Sequence, residues 1–239
     1  MALTDLPILI TRAEPGASET AARLQDLALN PVLAPMLSLK VRPSVEIPRA
    51  SALSGVVFTS ANGVRTYAAQ RDDRSLPAWC VGPATAAAAR ASGFEQIRQS
   101  SGNADDLARF ILKERAPDDR PLLHIANAAA AGGLKRALEA AGLTVVFAPL
   151  YDMAPAIAFS DTVQDLLAHR VTGIILIHSA KGATAFAALA HEYDLSGWRV
   201  VAISKAAAAP LSALNLLDIA IAEHPDEDGL FAALATLSA

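Results

Sequence analysis

The chain has 239 residues, 53% of them hydrophobic and 18% charged, and carries a net charge of −4. That composition excludes a disordered polymer and leaves enough apolar material for a core, while the negative balance and the lack of a basic stripe argue against nucleic acid as a partner. A lone cysteine, Cys80, excludes an internal disulfide and a cysteine metal cluster, and no apolar run approaches the roughly 18 residues of a membrane span. Because the first residues, MALTDLP, lack a charged segment ahead of a long apolar run, the protein is expected in the cytoplasm.

Residues 7–11, PILIT, are a short apolar run ending at Arg12, and Ala21, Ala22, Leu24, Leu27 and Ala28 recur at helical spacing, which predicts a strand and then a helix over 18–28. Residues 31–39 are extended and broken by Pro35, and 37–41 leave a first, incomplete lobe. Residues 55–63, GVVFTSANG, read as a buried strand running into a hydroxyl-bearing turn and a helix over about 63–70. Trp79 to Val81 is the next strand, holding Cys80 as a small core residue, and GPATA at 82–86 turns it into a helix with Pro83 suited to the first turn. A short strand over 94–98, a helix capped by Asn103, a strand over 121–125, another helix and a strand over 142–151 follow. Beyond Pro155 a helix through 163–168 leads to residues 173–182, GIILIHSAKG.

That last stretch repeats residues 55–63: Ser60 pairs with Ser179, Ala61 with Ala180 and Gly63 with Gly182, while Tyr67 pairs with Phe186, both expected in cores. The echo continues with VVAIS at 200–204 against the strand end at 80–82, and with DEDGLF at 226–231 against ADDL at 104–107. Leu24 stands before Ala34 as Leu138 stands before Ala148, so the N-terminal unit matches the one that closes near Tyr151. Units recurring in related order imply two similar α/β lobes, each a doubly wound parallel sheet with helices on both faces. Since the N-terminal unit lacks its continuation until after 151, one lobe is expected to be discontinuous, 1–37 with 153–239, and 38–152 inserted. Two extended connectors would then cross between lobes flanking a cleft.

Ligands in such sheets bind beyond the carboxyl ends of the strands. The candidates are therefore Thr11 and Arg12; Thr59, Ser60 and Asn62; Gly82 and Thr85; His178, Ser179 and Lys181; and Ser204. A strand ending in Ser at a helix N-terminus presents free N–H groups and the positive helix end, a place to hold an anion, although the same serines also read as ordinary N-caps. Arg12 reads as either a solvated charge or an anion contact, and His124 and His178 as satisfied structural histidines; His169, His191 and His224 read as surface residues. No Gly-rich dinucleotide motif, Walker loop, nucleophile elbow or zinc motif is present, so a site without cofactor or metal is expected. With no Asp or Glu among the candidates, the site reads as a cradle for a polycarboxylate or phosphate whose own reactivity supplies the chemistry.

In the order TR (11–12), FTSAN (58–62), VGPATA (81–86), Tyr151 and Ser179, the chain resembles the uroporphyrinogen-III synthase family over nearly its whole length. The resemblance implies a bilobal lyase of haem and porphyrin biosynthesis, and with no coiled-coil heptad or long apolar edge in the chain a monomer is the default expectation. Its substrate would be the linear tetrapyrrole hydroxymethylbilane, which loses its terminal hydroxyl as water and closes with inversion of ring D through a spiro intermediate. It further implies that Ser60, Thr85 and Ser179 contact the substrate and that Tyr151 assists departure of the hydroxyl. Two positions depart from the family pattern: SKAAA at 204–208 stands for a Gly-x-x-Thr-Ala element, and Ala126-Asn127 for Arg-Gly. A tetrapyrrole- or anion-binding regulatory module that has lost turnover is the second reading these departures leave open.

Overall fold

A computed structural model describes residues 2–130, 132–169 and 171–237. It divides into two compact units, Met1–Leu39 with Met153–Ala239, and Lys40–Asp152.

The discontinuous unit is built from β1 (Pro7–Ile10), α1 (Gly16–Asp26) and β2 (Asn30–Leu33). After β3 (Leu37–Val41) the chain leaves it and returns with α6 (Asp161–Ala168), β9 (Gly173–Ile177), α7 (Ala180–Ala190), β10 (Trp198–Ala202), α8 (Lys205–Ala208), β11 (Asp218–Ile221) and α9 (Glu227–Thr236). Its sheet has the order β11-β10-β9-β1-β2, and its neighbouring strands run parallel. Parallel strands covered on both faces must be apolar throughout, which is why PILI and GIILI are buried at every position. Their side chains alternate between faces: Ile8, Ile10, Ile174 and Leu176 meet α1 and α9 through Leu24 and Leu230, while Leu9, Ile175 and Ile177 meet α6 and α7 through Val163 and Phe186. Strand β11 was not anticipated, because DIAI is only half-buried and it is pairing with β10 that makes it a strand.

The inserted unit comprises β4 (Gly55–Phe58), α2 (Ala61–Ala68), β5 (Ala78–Cys80), α3 (Pro83–Ala91), β6 (Ile97–Gln99), α4 (Ala104–Glu114), β7 (Leu122–Asn127), α5 (Gly133–Ala140) and β8 (Val145–Pro155). The sheet order is β3-β8-β7-β4-β5-β6, with β4 through β8 paired in parallel. One face meets α4 and α5 through Val57, Trp79, Ile111 and Leu138. On the other, Phe58, Tyr67 and Phe94 form an aromatic cluster with centroids 5.6–6.2 Å apart. Recruitment of Phe94 into that cluster delays β6 to Ile97, later than the spacing suggested. Helix α2 likewise starts at Ala61 rather than 63, because Ser60 is already its N-cap.

Counted along the chain, the first sheet reads 2-1-3-4-5 and the inserted one, leaving aside its edge strand β3, 3-2-1-4-5. Both are doubly wound orders, and aligning β9-β10-β11 with β4-β5-β6 and β1-β2 with β7-β8 superposes one on the other as a permutation. Each has one point where strand order reverses, between β1 and β9 in the first lobe and between β4 and β7 in the second. The physical chemistry of such sheets puts a ligand crevice at the carboxyl ends of those strands.

Candidate functional site

The sequence-predicted residues lie at these reversal points and at the neighbouring strand ends. In the inserted lobe, Ser60 caps α2 from an extended conformation (φ −162°, ψ 147°), its hydroxyl accepting from Asn62 N at 3.2 Å. Gly63 lets α2 descend onto the sheet, since a Cβ there would stand 3.3 Å from the Ile125 carbonyl oxygen of β7. In the discontinuous lobe Ser179 repeats the cap (φ −164°, ψ 152°), accepting from Gly182 N at 3.1 Å. Ser204 caps the four-residue α8 in the same way, accepting from Ala207 N at 3.2 Å.

Around Ser60 the lobe assembles its polar groups. Tyr151, at the end of the pairing between β7 and β8, is 3% exposed, and its phenol lies beside the Ser60 side chain. Burial raises its phenol above the usual 10, with the Ser60 contact acting in the opposite direction, so the group is a neutral hydroxyl at physiological pH. Asn127 lies opposite Tyr151 across a register shift in the ladder, its side chain accepting from Ala129 N at 2.8 Å, and Ala128 N donates to the Tyr151 carbonyl at 2.9 Å. Gly82 is the extended N-cap of α3 ahead of Pro83. Thr85, one turn further, is 4% exposed, and its hydroxyl has no partner among the described residues. Thr59 Oγ1 stands 3.5 Å from Nε2 of His124, a ring held neutral by burial, which lowers its pKa from 6.5 to about 4. Asn62 receives Arg65 Nη1 at 3.3 Å.

The discontinuous lobe uses its polar groups differently. Thr11 is buried and donates its hydroxyl to the Leu176 carbonyl at 2.7 Å, tying β1 to β9. Arg12, one-third exposed, is paired within the lobe: Nη1 lies 2.7 Å from Glu227 Oε2 and donates to Thr20 Oγ1 at 3.2 Å, while Thr20 donates to Glu227 Oε1 at 2.5 Å. Burial pushes the Glu227 carboxyl up, but the nearby His178 ring, the hydrogen bond from Thr20 and the charge of Arg12 outweigh it and hold the pKa at about 2. Lys181 donates to the Met153 carbonyl at 2.8 Å.

The expectation that both strand histidines are satisfied is corrected. Nδ1 of His124 and of His178 are buried without a hydrogen-bond partner, and so is His178 Nε2, whose 3.5 Å separation from Glu227 Oε2 is long for a hydrogen bond. Glu227 was missed. Only its place at N1 of α9, after the Asp226 cap, was visible in the chain, and nothing local aims it at Arg12. Cys80 is buried, its thiol pushed up to about 11, so it is no nucleophile. Among the described residues no cluster of His, Cys, Asp and Glu could hold a metal, and no helix is long and apolar enough to cross a membrane.

Comparison with known families decides the lineage. A family model described as uroporphyrinogen-III synthase HemD matches residues 18–232. The chain belongs to the uroporphyrinogen-III synthase family, cyclising lyases of tetrapyrrole biosynthesis. Among solved structures, uroporphyrinogen-III synthetase from Helicobacter pylori shares the fold with a TM-score of 0.64 at 15% identity, covering 97% of this chain and 99% of that one. A mutant uroporphyrinogen III synthase from Thermus thermophilus follows at TM-score 0.52 and 14% identity, covering 97% of each chain. No curated protein matches in sequence. In this chain Ser60, Thr85, Tyr151 and Ser179 lie at strand and helix ends, while Arg12 is drawn into an intralobe ion pair.

Proposed function

We propose that the protein cyclises hydroxymethylbilane to uroporphyrinogen III, with loss of water and inversion of ring D, and that Tyr151 is its proton donor. The observation that carries the residue assignment is the burial of the Tyr151 phenol beside the Ser60 side chain, next to a reversal point of the sheet. A neutral, buried phenol can pass its proton to the departing hydroxyl, which leaves as water, while the electron-rich pyrrole supplies the electrons for the resulting azafulvene. Ser60, itself fixed by the Asn62 amide, orients that phenol.

The acetate and propionate groups would take the free N–H groups at the starts of α2, α3 and α7 and the unpartnered Thr85 hydroxyl, with Lys181 adding a positive charge. Thr59, Asn62, Gly82 and Ser204 complete these strand ends, and the backbone after Thr11 and Arg12 serves in place of their engaged side chains. Since uncatalysed closure gives the uninverted isomer, binding must be spent on holding the geometry in which ring D inverts.

The test is a coupled assay in which the upstream deaminase generates hydroxymethylbilane and the type I and type III products are separated after oxidation. Predominance of type III is expected. Type I alone, with retained tetrapyrrole binding, would instead establish the regulatory module.

A further inference from the structure

The discontinuous lobe has a crevice of ≈350 Å³ at the carboxyl ends of β1, β9 and β10, where Arg12, His178 and Ile203 follow those strands and α1 and α9 close one side. Strand order reverses there, between β1 and β9. Two arginines of its wall, Arg12 and Arg23, are offset by two glutamates, Glu19 and Glu227. The one wall residue of a type that changes charge near neutrality is His178.

Strand alternation sends His178 to the same face as Leu176, towards α1 and α9. Its side chain is 8% exposed, and neither ring nitrogen has a hydrogen-bond partner. A neutral imidazole always carries one N–H, so in either tautomer a buried donor goes unmet, which is costly. Nε2 stands 3.5 Å from Glu227 Oε2, and that carboxyl is ionised throughout the neutral range because its pKa is held at about 2. Once the ring is charged, a movement of well under an ångström turns the gap into a charge-assisted hydrogen bond of ordinary length.

The other charged groups nearby are paired or exposed. Arg12 shares Glu227 Oε2 at 2.7 Å and opposes charging of the ring, while Arg23 pairs with Asp228 of α9 at 2.6 Å. Lys181 of α7 donates to the Met153 carbonyl at 2.8 Å, Asp226 caps α9, and Glu19 and Lys205 are exposed. His124 in the other lobe is the internal contrast. Its ring is as buried, but it lies against Phe147 and Thr59, and burial alone lowers its pKa to about 4.

We propose that His178 is a proton-dependent positioning residue: on taking a proton it bonds Glu227 beside Arg12, and the crevice wall passes from balanced to one net positive charge. The ring nitrogens are enclosed, so the imidazole acts through its charge and through Glu227, not by touching a ligand. Its chain neighbour Ser179 caps α7, and the added charge strengthens the hold of that helix start on the polycarboxylate of the proposed reaction. The binding consequence rests on that reaction; the proton uptake does not.

The test is the pH profile of KM at low salt in the coupled assay, with the deaminase in excess. From pH 6 to pH 8, KM should rise about fivefold while kcat changes little, and added salt should shrink the difference. His178→Gln should give a KM that is high at both pH values. Glu227→Gln, which leaves Arg12 unopposed, should give one that is low at both, whereas simple damage to the lobe would raise both. The His178 ring proton signal, assigned by its loss in His178→Gln, should shift between pH 8 and pH 6 in the wild type and shift less in Glu227→Gln. A flat wild-type profile, a pH dependence that survives His178→Gln, or a ring signal that does not move overturns the proposal. Absence of the type III product at every pH sinks the proposed reaction instead, and the ring signal then judges the proton uptake alone.

Discussion

The two lobes have nearly the same backbone at Ser60 and Ser179, yet they furnish it differently. In the inserted lobe the cap leads to Tyr151, and Thr85 keeps an unpartnered hydroxyl. In the discontinuous lobe the side chains at the matching point turn inward, Thr11 to the sheet and Arg12 to Glu227. Duplicating a strand–turn–helix unit therefore repeats the anion-accepting helix start but not the chemistry beside it.

The sharpest way to break that contrast is Tyr151→Phe. Removing the proton donor should lower turnover by about three orders of magnitude with little change in KM, whereas Ser179→Ala should raise KM and leave turnover nearly intact. Equal losses of turnover in the two variants would erase the distinction.

Acid should separate the lobes next. The depressed pKa of His124 means that the unfolded chain takes up a proton below about pH 6.5 and the folded lobe only near 4. Stability is then full above 6.5 and falls as pH drops through that window, by about 3 kcal/mol in all. Glu227 works at lower pH: its contribution is present above its ordinary 4.5 and lost as pH falls toward about 2. Trp79 fluorescence should therefore report loosening of the inserted lobe before Trp198 reports the other, and His124→Leu should move the first event to lower pH.

Arg12→Ala removes one partner of a partly buried pair, and should cost about 1–2 kcal/mol, seen at Trp198 rather than Trp79. The smallest effects are expected from the caps: Ser60→Ala and Ser179→Ala should each cost about 1 kcal/mol of thermal stability, and only the former should also slow turnover.

Much of this was readable along the chain because it is local. Ser60, Asn103, Ser179, Ser204 and Asp226 each cap a helix within three residues of themselves, so residue type and spacing suffice to find them. The apolar runs at Val56 and Ile175 announce buried parallel strands for the same reason, and the repeated glycines 63 and 182 mark where a helix approaches its sheet. Strand β11 was less visible, since an edge strand needs little apolar sequence once a neighbour supplies its hydrogen bonds.

By itself, then, the sequence determined the two-lobed α/β architecture, the strand and helix ends where a polyanion can be held, and the family. Tertiary structure alone decided which of those polar groups remain available. Arg12 and Glu227 are 215 residues apart, and Tyr151 reaches Ser60 because β8 pairs with β7 beside β4. Capping bonds are set by a few consecutive dihedrals and so are written in the local sequence. Whether a hydroxyl or guanidinium is spent or free depends on partners delivered by sheet order, and that is fixed only when the whole core packs.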